Sequence, residues 1–316
     1  MPELAHRRLG SSELEVSRIA LGSWRTFEHM KRGDAERLLA HALESGIDFF
    51  DDARYDDETG QAPLASGYSE VLFGELFRAV GADREAVAVS NKLWWEFWPQ
   101  ENAVAELEGS LARMGFDRLD VLYSSTLPDA VSVPVAVEEI AGVLATGRVK
   151  SWAAVNWSAP ALALASEEAQ RVAIPQPCAA QLPYSLARLD WVEDPPMQDA
   201  LQRTGASLIP SAALAGGALT GKYAEGDTGR LSHERDDPSR ATAFEIGAAL
   251  REPAGRLGTS PATLAIAFTL AHPRTACTLI GASQPAQIDA AIAAVELAQQ
   301  LTASEIDELR TLAARS

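Results

Sequence analysis

The sequence predicts an α/β protein folded as one (β/α)8 TIM barrel, a single domain over residues 1–316. Eight short apolar runs alternate with longer amphipathic segments along the chain, as expected of a parallel βα repeat. Eight repeats in 316 residues fit a closed barrel better than an open, doubly wound sheet. Leu21-Gly22-Ser23-Trp24 follows the first run, so the Gly-x-Gly-x-x-Gly turn of the open dinucleotide-binding sheet is missing there.

Each predicted strand is a short apolar run bounded by Gly, Pro or polar residues. The eight strands are Arg18–Leu21, Ile47–Asp51, Val87–Asn91, Leu119–Tyr123, Val149–Val155, Cys178–Leu182, Ser207–Pro210 and Cys277–Ile280. The clearest helices between them are Asp34–Glu44, Tyr68–Val80, Glu101–Met114, Pro134–Leu144, Ala159–Gln170 and Ala262–Ala271. Ser45-Gly46 ends the first of these, and Ser260-Pro261 caps the last. Arg7–Val16 holds two short runs around Gly-Ser-Ser and predicts a hairpin that closes the bottom of the barrel.

The charge balance and the cysteines exclude several classes of protein. There are 27 Lys and Arg against 44 Asp and Glu, and a net charge of −17 argues against binding to nucleic acid or to an anionic membrane. Cys178 and Cys277 have neither disulfide-framework nor zinc-site spacing, and we expect two buried thiols in a reducing compartment. No apolar leader segment is visible, and the charge-free stretch 204–221 contains Pro and four Gly. The expectation is a soluble, cytoplasmic protein.

Reactive side chains in a (β/α)8 barrel lie at the carboxyl ends of the strands, so the residues after each run are the candidates. Asp51, Asp52 and Tyr55 follow the second run, and Lys92 follows the third. A Tyr hydroxyl, with a pKa of about 10, is a poor proton donor at neutral pH, but an adjacent ammonium lowers that pKa. We therefore expect Tyr55 as a general acid, with Lys92 beside it and Asp51 paired with Lys92. The alternative is three residues without a joint function.

Tryptophan is concentrated at the same end of the predicted barrel. Five of the seven Trp residues directly follow a predicted strand: Trp24, Trp94, Trp95, Trp98 and Trp157. A ring of indoles around the mouth would form a pocket for an apolar or ring-bearing carbonyl compound, or for a sugar stacked on indole. The alternative is that these rings pack in the core beneath the loops.

A series of different short motifs is distributed along the chain in a fixed order. They are Arg8-Leu9-Gly10, Val16-Ser17, Leu21-Gly22 with Trp24, Gly46–Asp51, Ser69-Glu70, Leu72–Gly74, Ser90–Lys92, Gly147–Val149 with Asn156, Gln181 with Tyr184, Leu219–Tyr223, and Gly281–Ser283 with Gln287. Together they resemble the motifs of the aldo-keto reductase family. Within that family they are most similar to those of the branch that contains potassium-channel beta subunits and bacterial aldo/keto reductases. The resemblance covers nearly the whole chain.

The resemblance implies that an aldehyde or ketone is reduced by NADPH, or by NADH, without a metal, and that Tyr55 protonates the carbonyl oxygen. It implies a small-molecule substrate and a monomer or small homo-oligomer. Cofactor contacts are implied at the matching positions: Asn156 and Gln181 for the carboxamide, Leu214, Gly216 and Gly217 for the pyrophosphate, Lys222 and Arg230 for phosphate charge, and Ser283 with Gln287 for the adenosine ribose and its phosphate.

The chain departs from the family pattern at the substrate site. The family places a His before the Pro-Asp of the fourth strand loop, and alignment on Pro128 puts Thr126 there, which can donate only a neutral hydrogen bond. Ser124 or Ser125 is the alternative donor. Tyr55 comes one residue early after Asp51, and about eight extra residues, 57–65, follow it as a predicted lid or pocket wall. Two rival assignments remain open at this site: Tyr68 as the acid and Asp52 as the carboxylate partner.

The cofactor positions depart from the pattern as well. Ser211 aligns where relatives stack an aromatic ring on the nicotinamide, and Ala290 and Ala291 align with the Glu-Asn pair that meets adenine. Gln284 leaves the choice between NADPH and NADH open, and Lys222 and Arg230 favour NADPH. Two other functions stay possible: a non-catalytic, cofactor-binding regulatory subunit, which the missing His favours, and a barrel enzyme of another class, such as an epimerase or lyase.

Overall fold

The protein begins with an antiparallel hairpin, after which all the strands are parallel. In the computed structural model, which describes residues 4–225, 231 and 237–315, the strands are β1 (His6–Arg8), β2 (Glu15–Ser17), β3 (Ile19–Gly22), β4 (Phe49–Asp51), β5 (Ala88–Leu93), β6 (Leu119–Ser124), β7 (Val149–Val155), β8 (Ala179–Pro183), β9 (Ser207–Ser211) and β10 (Thr278–Ile280). All eight predicted barrel strands are present, with ends shifted by one or two residues.

The parallel strands form one sheet in the order β10-β3-β4-β5-β6-β7-β8-β9. Its two edges meet through a parallel bridge between Leu208 and Thr275. Leu208 donates to the carbonyl of Arg274 at 2.8 Å, and Ala276 donates to the carbonyl of Leu208 at 2.9 Å. The sheet thus closes into the predicted (β/α)8 barrel, which is confirmed.

The N-terminal hairpin closes the bottom of this barrel, as predicted. Its turn places Leu9, fully buried, against the side chains of the barrel interior. The Gly10 amide donates to Ser207 Oγ at 2.8 Å, at the start of β9. Gly10 has φ +51°, and a side chain there would collide with the carbonyl of Cys178 just before β8, so only glycine fits this turn.

Twelve helices surround the barrel in the part of the chain that the structure describes. They are α1 (Arg32–Glu44), α2 (Tyr68–Ala79), α3 (Ala103–Met114), α4 (Val133–Ala145), α5 (Ala159–Arg171), α6 (Asp190–Glu193), α7 (Pro195–Thr204), α8 (Ala241–Ala249), α9 (Arg251–Arg256), α10 (Pro261–Ala271), α11 (Pro285–Gln300) and α12 (Ala303–Arg315). The six helices predicted from the sequence are all present. Helix α3 begins two residues late because Asn102 is its N-cap, with Oδ1 accepting from the Ala105 amide at 2.9 Å.

The core has two parts. Apolar side chains between the sheet and the helices make the larger one, and a smaller cluster fills the inside of the barrel around Phe49, Val121 and Tyr123. Cys178 and Cys277 lie in this inner cluster as buried free thiols, and burial raises the pKa of the Cys178 thiol to about 12. Among the described helices, none has the length and apolar character needed to cross a bilayer.

Candidate active site

Three of the predicted residues meet at the mouth of the barrel, where β4 and β5 end. Lys92 Nζ lies 2.6 Å from Asp51 Oδ2 and 3.2 Å from the Tyr55 hydroxyl. A third bond joins Lys92 Nζ to the carbonyl oxygen of Asp52 at 3.1 Å. Lys92 and Asp51 are almost wholly buried. The ammonium therefore links the carboxylate to the phenol, as the strand-end positions predict.

Polar neighbours on β5 hold this group in place. Ser90 Oγ donates to Asp51 Oδ1 at 2.7 Å, so both oxygens of the Asp51 carboxylate are engaged. The Asn91 side chain accepts from the Lys92 amide at 2.6 Å and donates to Glu70 Oε1 at 2.9 Å. Ser90 and Asn91 belong to the Ser90–Lys92 motif but were not among the predicted site residues. Period-two alternation along β5 was the signal: Ser90 and Lys92 share the inner face, and Asn91 faces the helices.

The site keeps Tyr55 protonated. Burial raises the pKa of the Tyr55 hydroxyl, and the carboxylates of Asp51 and Asp52 raise it further, against the opposing effect of Lys92. The expected placement of Lys92 beside Tyr55 predicts a lowered pKa for the Tyr55 hydroxyl, and this prediction is wrong because burial and the two carboxylates outweigh the ammonium. Lys92 itself stays charged: burial disfavours the ammonium, but Asp51 and Tyr55 outweigh this and raise its pKa. The site thus combines a neutral phenol donor with a fixed cation.

Asp52, the rival to Asp51, points elsewhere. Its side chain is fully buried and accepts a hydrogen bond from Ser23 Oγ. Oδ2 of Asp52 has no hydrogen-bond partner among the described residues. Burial raises the pKa of Asp52 well above its usual range, and the nearby Glu70 carboxylate adds to the rise. The carboxylate that pairs with Lys92 is therefore Asp51.

The extra residues after Tyr55 form a loop whose two ends lie together. The Gly67 amide donates to the carbonyl of Tyr55 at 2.8 Å, and Asp56 bridges to Ser66, so the two ends of the segment 57–65 meet. Within the segment, Asp57 Oδ1 accepts from the Thr59 amide at 2.8 Å. Tyr68, the rival acid, is the first residue of α2 and packs against the apolar layer between sheet and helices.

The end of β6 separates the three candidate hydroxyls. Ser124 Oγ accepts from Trp95 Nε1 at 3.0 Å. Thr126, the residue aligned with the family His, is exposed and donates to the carbonyl of Asn156 at 3.4 Å. Ser125 is buried, and its Oγ has no hydrogen-bond partner within the described part of the chain.

The five predicted pocket tryptophans divide into two groups. Trp24 and Trp94 flank the Tyr55 ring, with ring centroids 6.3 and 6.1 Å away. Trp95 and Trp157 are buried: Trp157 Nε1 donates to the carbonyl of Ser125 at 2.6 Å, and Trp95 Nε1 donates to the hydroxyl of Ser124 at 3.0 Å. Trp98, half-buried, packs edge-on against Trp95 at 6.2 Å. Two indoles therefore border the phenol, and the other three support the loops behind it.

The rim of the mouth is apolar, and its cations are paired. Large exposed apolar side chains follow three neighbouring strands: Trp24 after β3, Leu64 after β4 and Phe97 after β5. The Arg25 guanidinium stacks on the Trp24 ring at 5.0 Å and pairs with Glu58 of the 57–65 segment.

The second rim cation is Arg54. It stacks on Phe97 at 4.9 Å and pairs with Glu96 at 2.6 Å. Both rim cations are thus neutralised by a nearby carboxylate.

The opposite side of the mouth carries the predicted carboxamide contacts. Gln181, in the middle of β8, is 4% exposed, and its Nε2 lies within hydrogen-bond distance of no polar atom in the described residues. Asn156 is exposed directly after β7, and its backbone N–H donates to the backbone carbonyl of Gln181 at 3.0 Å. Asn156 has φ +59°, a conformation rare outside glycine. The Gln181 side chain lies near enough to the buried Tyr123 hydroxyl to lower its pKa, which burial raises, and a ligand that brings its own acceptor could also bind this buried amide donor.

The predicted pyrophosphate loop follows β9 and turns sharply. Ala212, Ala215, Gly216 and Gly217 all have positive φ. The Gly217 amide donates to the carbonyl of Leu214 at 2.8 Å, so this N–H is used within the loop. Successive left-handed residues form concave backbone surfaces of the kind that bind anions.

The predicted phosphate cations lie beyond this loop. Lys222 stacks on the Tyr223 ring at 5.1 Å. Arg230, the second predicted cation, lies outside the described residues. Arg240, which is not among the predicted cations, brings its guanidinium close to Gly216: a Cβ atom at Gly216 would lie 3.6 Å from Arg240 Nη1.

The predicted ribose contacts lie together at the start of α11. Gln287 Oε1 accepts from the Ser283 amide at 2.6 Å and from the Gln284 amide at 3.3 Å. The Gln287 side chain thus caps the helix with its oxygen, which leaves its NH2 group as the donor. Ala290 and Ala291 carry no polar side-chain atom, and Ser211 is half-buried at the end of β9.

The residues present fit a nicotinamide dinucleotide. The observation that carries the fit is the unpartnered Gln181 amide, next to Asn156 and on the same barrel edge as the phenol of Tyr55. Among the described residues, no group of three His, Cys, Asp or Glu side chains could hold a metal ion. The arrangement can donate a proton from a phenol, stabilise the resulting oxygen with an ammonium, and hold an amide-bearing ring beside it.

The chain is similar to known proteins over nearly its whole length. Residues 18–314 match the model of the Aldo/keto reductase family. The chain is 29% identical to a "Probable voltage-gated potassium channel subunit beta" of Oryza sativa subsp. japonica, over 98% of this chain and 96% of that protein. It is 28% identical to "L-glyceraldehyde 3-phosphate reductase" of Escherichia coli (strain K12), over 91% of this chain and 86% of that protein.

Proposed function

The chain belongs to the aldo/keto reductase family, whose members are NAD(P)-dependent oxidoreductases acting on carbonyls, and we propose that it reduces an aldehyde or ketone to an alcohol with NADPH and with Tyr55 as the general acid. The observation that carries the proposal is the contact of 3.2 Å between the Tyr55 hydroxyl and Lys92 Nζ, backed by the Lys92–Asp51 ion pair. A protonated phenol beside a fixed ammonium suits proton transfer to a carbonyl oxygen.

Each residue of the group has a separate task in this proposal. NADPH, when bound, supplies the hydride that reduces the carbonyl carbon. The Tyr55 hydroxyl gives its proton to the carbonyl oxygen, so that the product is the neutral alcohol. Lys92, 5.6 Å from the centre of the Tyr55 ring and hydrogen-bonded to its oxygen, stabilises the phenolate that remains. Asp51 keeps Lys92 charged and in place.

Cofactor binding is proposed for the opposite half of the mouth. Gln181 and Asn156 would hold the carboxamide, and Leu214, Gly216 and Gly217 the pyrophosphate. Phosphate charge is proposed for Lys222 and Arg230, and the adenosine ribose with its phosphate for Ser283 and Gln287. The unpartnered Gln181 Nε2 supports the first of these contacts. NADPH is preferred because of the cations near the loop, and NADH is the alternative.

The rim favours a neutral, apolar or ring-bearing carbonyl compound. Trp24 and Trp94 border the phenol and offer flat apolar faces, and Phe97 and Leu64 extend that surface outward. A phosphorylated substrate, as in the name of the Escherichia coli relative, would need an available cation. The rim cation Arg25 is paired with Glu58.

The test is carbonyl reduction by the purified protein, followed by the loss of NADPH absorbance. Benzaldehyde and cyclohexanone represent the apolar class, and glyceraldehyde 3-phosphate represents the charged class. We expect turnover of the apolar class, and Tyr55→Phe should lower kcat by about 100- to 10,000-fold while NADPH still binds. Tyr68→Phe, the matched variant at the rival tyrosine, should lose little. Full activity in Tyr55→Phe would remove Tyr55 from the role of acid.

A second candidate is a regulatory subunit that binds NADPH without fast turnover. Two observations favour it: relatives are named as potassium-channel beta subunits, and no His stands at the position aligned with Thr126. The same assay decides between the two functions. Tight NADPH binding, measured by quenching of tryptophan fluorescence, with no turnover across the panel would favour the regulatory subunit.

A further inference from the structure

We propose that the Ser125 hydroxyl, rather than that of Thr126, donates the hydrogen bond that polarises the substrate carbonyl. This inference rests on the proposed reductase function. It assigns the position left open by the missing His to a residue that alignment on Pro128 does not select. Four structural features support it: the direction of the side chain, the hydrogen bonds that hold its backbone, its unused hydroxyl and the hydrogen bonds of the two competing hydroxyls.

The alternation of β6 points Ser125 into the barrel. Val121 and Tyr123 belong to the cluster inside the barrel, and Leu122 belongs to the layer under the helices. Ser125 continues the inward series two residues beyond Tyr123, at the mouth. Tyr123 pairs in register with Lys92 on β5. Ser125 is therefore one step above the lysine that contacts Tyr55.

The backbone of Ser125 is held on both sides. Its amide donates to the carbonyl of Leu93 at 3.0 Å, which extends the β5–β6 ladder by one residue. Its carbonyl accepts from Trp157 Nε1 at 2.6 Å. The buried Trp157 thus has a defined task in the site: it fixes the residue that carries the hydroxyl.

The hydroxyl itself is unused. Ser125 is 5% exposed, and its Oγ has no hydrogen-bond partner among the residues that the structure describes. Buried polar groups are nearly always hydrogen-bonded, and each exception requires an explanation. A carbonyl oxygen of a bound substrate would supply the missing acceptor.

The competing hydroxyls are engaged elsewhere. Ser124 faces away from the barrel interior and accepts from Trp95 Nε1 at 3.0 Å. Thr126 is exposed, and its Oγ1 is directed to the carbonyl of Asn156 at 3.4 Å.

A neutral hydroxyl at this position has a clear chemical consequence. A carbonyl oxygen has two lone pairs, so Ser125 can donate to one while Tyr55 delivers its proton to the other. Donors already directed at the oxygen stabilise the charge that develops there in the transition state. Because a serine does not titrate in the working range, this contribution does not vary with pH.

The test compares three variants in the same carbonyl-reduction assay. Ser125→Ala should lower kcat by on the order of 100-fold, with a smaller change in KM, as for the loss of one oxyanion donor. Thr126→Ala should lower kcat much less. Ser304→Ala, at an exposed serine on α12, is the matched control with unchanged kinetics. In thermal unfolding of the protein without ligands, Ser125→Ala should not lower Tm, because it removes a hydroxyl that has no partner.

Four outcomes would overturn the inference. If Ser125→Ala keeps the full kcat of an active wild type, Ser125 is not the donor to the carbonyl, and the proposed reductase function is unaffected. A larger loss in Thr126→Ala than in Ser125→Ala transfers the role to Thr126. A marked fall in Tm for Ser125→Ala shows that the hydroxyl is structural. A wild type without turnover on any carbonyl overturns the reductase function itself, and the inference with it.

Discussion

Lys92 Nζ and Asp51 Oδ2 are 2.6 Å apart at the ends of two neighbouring strands, and both side chains are almost wholly removed from water. Buried ion pairs seldom add stability, because desolvation of the two charges offsets their attraction. Losing only one partner, however, leaves an uncompensated buried charge. The pair is thus a device for holding an ammonium beside Tyr55, and it makes the site sensitive to single substitutions.

Asp51→Asn should therefore destabilise the protein and impair turnover together. We expect a loss of about 3–5 kcal/mol in the free energy of unfolding, from the uncompensated Lys92 ammonium. Urea titration measures this loss, and the NADPH assay gives kcat. Glu138→Gln is the control, because Glu138 Oε1 pairs with Arg171 Nη2 at 2.8 Å on the protein surface. The loss in the free energy of unfolding should be below about 1 kcal/mol in this variant. Equal losses in both variants would contradict the importance of burial.

The raised pKa of Tyr55 predicts how the rates depend on pH. Since the phenol stays protonated beyond its usual range, kcat for reduction should not fall between about pH 6 and pH 9 through loss of this proton. Alcohol oxidation needs the phenolate and should instead accelerate as pH rises. Both profiles can be measured with the same enzyme and the two cofactor forms. A reduction rate that falls through neutral pH would show that the acid has a lowered pKa.

Asp52 predicts a gain in stability. Its pKa is raised in the folded protein, so folding favours the protonated form, and stability from this group is lost as pH rises above the unfolded value of about 3.9. Asp52→Asn should stabilise the protein at neutral pH by about 1 kcal/mol, and the gain should vanish at about pH 4. Asp129→Asn, at an exposed carboxylate, is the control in thermal unfolding. A loss of stability at neutral pH would contradict this account of Asp52.

The indoles beside Tyr55 predict which kinetic constant responds to the pocket. Trp24→Ala should raise KM for benzaldehyde by about 2- to 10-fold, the value of one aromatic contact, and change kcat less. Trp191→Leu on α6, outside the predicted pocket, should leave KM unchanged. An unchanged KM in Trp24→Ala would place the substrate elsewhere on the rim.

Strand positions and the meeting of Asp51, Lys92 and Tyr55 could be predicted because strand ends in a parallel barrel share one edge. Directions within loops could not. Trp95 has φ +65°, which sends its ring into the core, and neither composition nor spacing signals that turn. Likewise, the pKa of Tyr55 depends on its burial and on Asp52, whose closeness only the folded chain reveals.

Ser125 shows the same limit in another form. Alignment compares residues by their distance from Pro128, whereas the strand fixes the direction of a side chain by alternation, and the two criteria select different residues here. The predicted start of α3 is wrong for a related reason. Asn102 is the N-cap of α3, so the helix begins after it, and the apolar periodicity of the sequence does not reveal this local hydrogen bond.

The closed ends of the 57–65 segment separate two kinds of change in this barrel. Because the Gly67 amide is hydrogen-bonded to the Tyr55 carbonyl across the base of the segment, we expect that the segment can be shortened, lengthened or exchanged without displacing the phenol. Its Glu58 reaches the neighbouring loop through Arg25, so an exchanged segment would also reset the charge of the rim. Exchanging this one segment should therefore alter the choice of substrate independently of proton transfer. The segment is the natural place for engineering new selectivity.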